Sequence, residues 1–576
     1  VSEPITEITI VGGGTAGWLT AAFLVRYMNA NKKESPTKIT LIESPNVPTI
    51  GVGEATVPSM SDLLRSLAIS EREFFRRCNA SFKLGVRFVN WSHDHKGNAT
   101  SFIHPFDGNS AQLGGQNPAY HFHKFGGPNG KRNIDDVLSA SVGAIRAKRG
   151  PKTLDQGDYE KTLNYAYHLD AGKFAEFLRD ISIERGVNHV LDDVEAVNLD
   201  EKGFVSSLTL QRNGEHPIQL VVDCTGFKGV IINEALGVKR QDYSKYLLNN
   251  RALAVQIPHE DVTQIEPCTT STALGAGWVW NVPLFNRVGT GYVFSSDFRS
   301  DDEAIAEFLA HLGPRGEGAE PRAIPVHIGG MEKTWEKNCI AIGLSAGFIE
   351  PLESTAIYMI ENSIKMLLLN FPDMSFPASL ARRFNETTDR MMESIRDFIV
   401  LHYCINNRQD SEYWRVAREE MEIPDSLAEM LDEYQHTLPL TTPFDRTFLF
   451  NRMSFETVLF AKDYFKDTTF PAERFIRKED WVKRVTQMKN REKALIKKLP
   501  GHYELLTAFR GEGTAKPAAA PNPYGNLAAA YSSKATVGVP MGGQPTVMFG
   551  GQSAKPNISF KPKEKSKSDF SEPSIL

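Results

Sequence analysis

The chain has 576 residues, of which 41% are apolar and 23% charged; this excludes a disordered, collagenous or coiled-coil protein. At roughly 150 residues per domain it allows two to four domains, or one large fold with insertions. Lysine and arginine (65) against aspartate and glutamate (70) leave a formal charge of −5, with no electrostatic footprint for a nucleic-acid partner.

The β-branched run Ile5–Val11 predicts a first strand, and it passes directly into Gly12-Gly13-Gly14-Thr15-Ala16-Gly17. Trp18–Val25 reads as a helix and Lys38–Glu43 as a second strand, a βαβ unit that implies a parallel sheet. Phe174–Arg179 reads as helical, and Ile218–Cys224 as a buried strand ending at a Gly turn. Residues 250–295 are rich in strand formers, and 355–435 and 471–498 are mostly helical in pattern. From 511 to 576 the composition turns to Pro, Gly, Ala, Ser and Lys with little hydrophobic periodicity. Such a tail is expected to be flexible or extended. Apolar islands such as Val547-Met548-Phe549 make it compatible with a clasp in a homo-oligomer.

The cysteines, at 78, 224, 268, 339 and 404, are odd in number and contain no CxxC. This predicts a reducing, cytoplasmic setting, and no Cys/His cluster has metal-site spacing. The N-terminal residues do not read as a secretory signal. No uncharged apolar stretch reaches about 18 residues, so no membrane span is expected.

Gly12-x-Gly14-x-x-Gly17 lies between strand and helix, as dinucleotide binding requires. The first Gly permits the tight turn, the second lets the backbone approach the pyrophosphate, and the third lets helix pack on strand. Thr15 and Ala16 belong to the same phosphate loop, and Glu43 ends the second strand where a ribose-binding acid is expected. This motif does not choose between FAD and NAD. The turn Asp223-Cys224-Thr225-Gly226 is similar to one that closes over the nucleotide in flavin hydroxylases, although an ordinary strand-to-loop turn reads the same way.

Three further segments narrow the reading. Gly277-Trp278-Val279-Trp280-Asn281-Val282-Pro283 puts two Trp on one strand face. By itself that pattern also suits an aromatic core pair. Taken with Ile50–Pro58 and Gly347-Phe348-Ile349-Glu350-Pro351-Leu352-Glu353-Ser354-Thr355, it resembles the flavin-dependent tryptophan-halogenase family. Val282 replaces an Ile of that family's WxWxIP signature. Ser81-Phe82-Lys83, His104-Pro105-Phe106, Tyr165–Gly172, Arg396–Ile399 and Leu401-His402-Tyr403 match in kind and order, and the resemblance spans roughly residues 5–505.

The resemblance implies an α/β fold. A GxGxxG FAD-binding core with mixed sheets and a strand-rich substrate platform would occupy 1–350. A mainly helical part, 351–510, would close the substrate site, followed by the tail. It implies that reduced FAD (FADH2), oxygen and a halide (chloride, bromide or iodide) give hypohalous acid. That oxidant would travel through a tunnel to an organic substrate. Lys83 matches the catalytic lysine, whether as an ammonium polarising the oxidant or as an amine forming a haloamine. Glu353 matches the acidic partner, and it also suits the dipole of a helix starting near Ser354. Gly53, Glu54, Ala55, Gly226, Gly343 and Leu352 would complete the flavin site. Thr355 and Ala356 would hold the halide by backbone N–H groups, with Ala356 where the family commonly has Gly. Trp278 and Trp280 would separate flavin from substrate, and His104, Phe106, Ser354 and Phe455 would lie on the substrate side.

Between Arg446 and Trp481 no Trp occurs, and Ser454-Phe455 stands where a Ser-Trp pair is expected. The inserted segments 111–117 and Tyr120-His121-Phe122-His123 would reshape the entrance. An indole- or phenol-like aromatic other than free tryptophan is therefore expected. No second nucleotide motif is present, which implies a separate NAD(P)H-dependent flavin reductase. Alternatives are a flavin monooxygenase that inserts oxygen directly and a non-catalytic flavin-binding scaffold.

Overall fold

The computed structural model describes residues 3–30, 36–47, 53–94, 96–107, 117–127, 133–439 and 449–511. The tail beyond 511, the inserted segment 111–116 and the start, 50–52, of the Ile50–Pro58 segment lie outside the described residues.

The strand Glu7–Val11 lies within a six-stranded sheet. It pairs in parallel with Lys38–Glu43 on one side and Leu220–Asp223 on the other. The helix Thr15–Asn29 crosses between the first two strands, as the pattern predicted. Its residues from Gly17 to Val25 are all buried, and Thr20 among them donates its hydroxyl to the Ala16 carbonyl at 2.7 Å. The strand predicted from Ile218 begins two residues later, because the Ile218 amide bonds instead to the Ser206 carbonyl of a neighbouring hairpin. Likewise the first strand begins at Glu7 rather than Ile5.

The strand-rich region forms a seven-stranded sheet in the order Arg322–Pro325, Arg251–Ile257, Val288–Phe294, Gly277–Pro283, Thr269–Ala273, Gly85–His93, Ala99–Pro105. All neighbours are antiparallel except Thr269–Ala273 against Gly85–His93. A three-stranded sheet matters most for the site. Its middle strand, Ala166–Asp170, carries Gly53–Ala55 and Ser81–Lys83 on its two edges, pairing Ala55 with His168 and Lys83 with Ala166.

The helical region comprises Ala356–Leu369, Ala378–Cys404, Glu412–Glu419, Asp425–Glu433 and Arg452–Ala461. The segment predicted helical over 471–498 divides into a 3-10 turn, Pro471–Phe475, and the helix Lys478–Lys498. In Ala378–Cys404, buried Phe384, Thr388, Met391 and Ile395 recur every three or four residues, a one-sided helix. From Ile395 to Tyr403 every residue is buried, so the helix drives its last turns, His402 included, into the interior. Helices after residue 350 and strands before it share both large hydrophobic cores. Among the described residues no helix is long and apolar enough to cross a membrane.

Candidate active site

A cavity of about 630 Å³ runs from the glycine loop to the segment Pro351–Ala356. At one end lie Gly12, Gly14, Thr15, Ala16 and Glu43. A Cβ on Gly12, whose φ is +116°, would strike the Cys224 carbonyl oxygen at 2.2 Å, and one on Gly17 would strike the Gly12 carbonyl oxygen at 1.9 Å. A Cβ on Gly14 would meet nothing. Gly17 therefore packs helix on strand and does not itself line the cavity. Gly14 caps the first helix without a side-chain cap, and the first turn carries no acid, so the positive helix end is not neutralised locally. Glu43 also lines the cavity, and His189 Nε2 lies 2.9 Å from its Oε2.

The turn after Leu220–Asp223 brings Cys224, Thr225 and Gly226 to the cavity wall. Asp223 is fully buried and serves the turn itself. Its carboxylate accepts from the Thr225 amide and hydroxyl and from the Ile231 and Ile232 amides. Gly343 lines the cavity at φ +83°, where a Cβ would come within 2.6 Å of Ala16 Cβ. Gly53, Glu54 and Ala55 line it too, and burial pushes the Glu54 carboxyl up to about 7. Leu352 does not; its side chain is buried in the core. The open helix end, the sterically required glycines and the strand-end acid fit a dinucleotide cofactor.

Trp278 and Trp280 both line the cavity, with ring centroids 6.3 Å apart and edge to face. Trp278 is held by Glu350, whose buried Oε2 accepts from its indole N–H at 2.8 Å, from the Tyr403 hydroxyl at 2.6 Å and from Asn249 at 2.9 Å. Burial raises the Glu350 carboxyl, and these donors oppose the rise.

Opposite the glycine loop, a 3-10 turn at Leu352–Ser354 precedes the helix, which begins at Ala356 rather than near Ser354. Glu353 and Ser354 both have left-handed backbones, at φ +66° and +64°. Non-glycine residues at such φ cost about 1–2 kcal/mol each, and strain of this kind clusters at functional sites. Ser354 Oγ accepts from Lys83 Nζ at 2.8 Å, and the Thr56 carbonyl accepts from the same ammonium at 2.9 Å. Lys83 has no solvent exposure, and Phe106 presents its ring 5.1 Å from Nζ. Burial pushes Lys83 down to about 7, with the Glu353 charge opposing the fall.

Glu353 Oε1 lies 2.8 Å from His104 Nδ1 and 3.5 Å from His402 Nε2. Burial alone would raise this carboxyl; the neighbouring imidazoles outweigh it and hold it at about 2. His104 Nε2 is 3.0 Å from Ser454 Oγ. Glu353, Ser354 and Ala356 face the cavity, whereas Lys83, His104, Phe106 and Thr355 are not among its lining residues. Thr355 Oγ1 is buried without a partner at the start of the helix, which has no side-chain cap and no acid in its first turn. Phe455 is only 2% exposed and packs edge-on against Phe398, at 5.0 Å, and Tyr434, so it lies in the core instead of on an open stacking face. Two residues given no role from sequence, Glu350 and His402, are part of the site. Both lie in segments that matched the family pattern, and only their contacts single them out.

Fold and site together define a dinucleotide-binding α/β enzyme with a buried lysine and a buried glutamate set beside the cofactor cavity. The family model for tryptophan halogenase matches residues 7–475. A tryptophan 7-halogenase of Lentzea aerocolonigenes is 34% identical over 552 residues, 89% of this chain and 100% of that protein. A crystal structure of a tryptophan halogenase from Shewanella frigidimarina superposes with a TM-score of 0.82 at 36% identity, covering 89% of this chain and 99% of that one. A flavin-dependent halogenase from Brevundimonas sp. BAL3 gives 0.78 at 35% identity, with coverages of 88% and 99%. The chain belongs to the tryptophan halogenase family, and with it to the flavin-dependent oxidoreductases.

Proposed function

We propose that this enzyme halogenates an indole- or phenol-like aromatic substrate with hypohalous acid, and that Lys83 and Glu353 direct the transfer. The observation that carries the reading is the Pro351–Ala356 segment. It turns Glu353 toward the cavity while the next residue, Ser354, hydrogen-bonds Lys83 from the same wall. Gly12, Gly14, Thr15, Ala16, Glu43, Gly53, Glu54, Ala55, Gly226 and Gly343 would hold reduced FAD, which with oxygen and halide would supply hypohalous acid.

The residues do the rest. The start of the helix Ala356–Leu369 offers the halide the Thr355 and Ala356 amides and a positive dipole end. Trp278, fixed by Glu350, and Trp280 wall the cavity and keep organic substrate from the flavin. Lys83 already donates to Thr56 and Ser354, and its third N–H is available to polarise the halogen–oxygen bond. Glu353, anionic among imidazoles, stabilises the cation that develops on the ring. His104 orients Glu353 while itself bonded to Ser454.

The substrate we propose is not free tryptophan, because Phe455, in place of a Trp, is packed into the core. A separate flavin reductase supplies FADH2, and the unpaired cysteines suit a reducing cytoplasm. The test is product mass spectrometry with FAD, a generic reductase, NADH and oxygen. Indoles, phenols and free tryptophan are offered with chloride, bromide or iodide in turn. Halide-dependent product that disappears in Lys83→Ala is expected. Hydroxylated product without halide dependence would replace this reading with direct oxygen insertion.

A further inference from the structure

His402 helps to hold Glu353 low but moves no proton in the chemistry described so far, yet it is fully buried and faces that carboxylate. Its Nδ1 lies 2.8 Å from the Phe398 carbonyl oxygen. A carbonyl only accepts, so Nδ1 carries the hydrogen. A neutral ring then points a bare lone pair from Nε2 at Glu353 Oε1, 3.5 Å away, and Nε2 has no hydrogen-bond partner. Two acceptors facing each other in a dry interior are unfavourable, and one proton placed between them removes the conflict. The surroundings offer no other outlet. Phe88 stacks on the ring, Phe398 and Trp91 meet it edge-on, and the titratable groups beyond are Lys462, with His104 and Lys83 across Glu353. Burial lowers His402 itself, and the Glu353 carboxylate opposes that fall.

We propose that His402 and Glu353 jointly hold one proton, and that this pair is the proton reservoir of halogen transfer. The inference rests on the halogenase reading. Transfer from hypohalous acid to an arene gives haloarene and water. The oxygen–halogen bond breaks with its electron pair left on oxygen, and the carbon–halogen bond forms. The reservoir lends its proton to that oxygen, which leaves as water. The ring carbon–hydrogen bond then breaks, its pair restores aromaticity, and the released proton passes to Glu353 and back into the pair. Every proton lent is returned, with no net change in the enzyme. His402 touches neither substrate nor cofactor; it acts through Glu353 and is a positioning residue for that group.

Two measurements test this. In the isolated full chain, 15N NMR of labelled histidine, assigned by difference from His402→Gln, should show Nδ1 protonated. It should also place Nε2 between the bare and protonated values. A bare Nε2 at neutral pH, or an Nδ1 without hydrogen, overturns the proposal whatever the enzyme's activity. The second measurement compares His402→Gln and His402→Phe during turnover with bromide. Gln can hydrogen-bond Glu353 but cannot exchange a proton at neutral pH. Hypobromous acid, trapped with monochlorodimedone, should form at the wild-type rate in both. Bromination of indole should fall about 100-fold in both. Indole deuterated at the reactive carbon should then show an isotope effect absent from wild type. A wild-type bromination rate in His402→Gln would mean that hydrogen bonding alone suffices, and the reservoir is overturned. Failure of the halogenase reading looks different: wild-type protein then yields no trappable hypobromous acid, while the nitrogen spectrum still decides where the proton sits.

Discussion

Two buried lysines stand beside the strand Ala166–Asp170 and have opposite surroundings. Lys152 Nζ meets Glu71 Oε2 at 2.8 Å, and neither side chain is exposed. Glu71 also accepts from the Tyr165 and Tyr167 hydroxyls and the Tyr159 amide, so that charge pair is closed on itself. Lys83 donates instead to a carbonyl and a hydroxyl, while Glu353 turns to two imidazoles. The first pair is cancelled and holds structure. The second is kept apart, and each member retains the means to act on a third molecule.

The sharpest way to break the comparison is to exchange its consequences. Lys83→Ala should cut halogenated product about 10³-fold, read by mass spectrometry, while flavin binding and the unfolding midpoint stay near wild type. Glu71→Gln should do the reverse. Breaking a buried pair costs about 3–5 kcal/mol, which calorimetry would record as a lower midpoint, with activity per folded molecule kept. Loss of turnover in well-folded Glu71→Gln would erase the distinction.

The pH profile sharpens it further. With the ammonium as the proposed active form, the Lys83 value of about 7, far below that of an exposed lysine, sets the pH window. Bromination corrected for trapped hypobromous acid should therefore decline above pH 7, tending to about tenfold per unit. A rate that rises with pH would assign the chemistry to the neutral amine and a haloamine. The smallest effect is expected at the helix start. Ala356→Gly removes a methyl that faces the cavity and should lower the chloride KM about fivefold, or roughly 1 kcal/mol.

Much of this was legible in the sequence because it is written in contiguous runs. The glycine loop, Glu43, the Trp-x-Trp strand and the Pro351–Ala356 segment are short motifs whose backbone geometry follows from neighbours. The contacts that give them meaning join residues far apart in the chain. Lys83 to Ser354, His104 to Glu353 and His402 to Glu353 cross several elements, and no local pattern encodes them. Nor does it encode the left-handed backbone at Glu353 and Ser354, since neither residue is glycine. Phe455 illustrates the limit: its place in the motif order suggested a stacking surface, but Phe398 and Tyr434 pack edge-on against it and it is buried. The closed pair of Glu71 and Lys152 gave no signal at all, because each residue taken singly reads as an ordinary surface charge.

The paired left-handed residues also bear on attempts to evolve new substrate scope. Leu352 and Ile357, which flank them, are both buried, and a backbone of this kind is kept only by the packing around it. Libraries that enlarge the pocket by trimming those neighbours would let the backbone relax before the protein unfolds. Screens for soluble expression would pass such variants, and screens for product would reject them. A campaign should therefore treat the packing beneath residues 353 and 354 as a fixed frame.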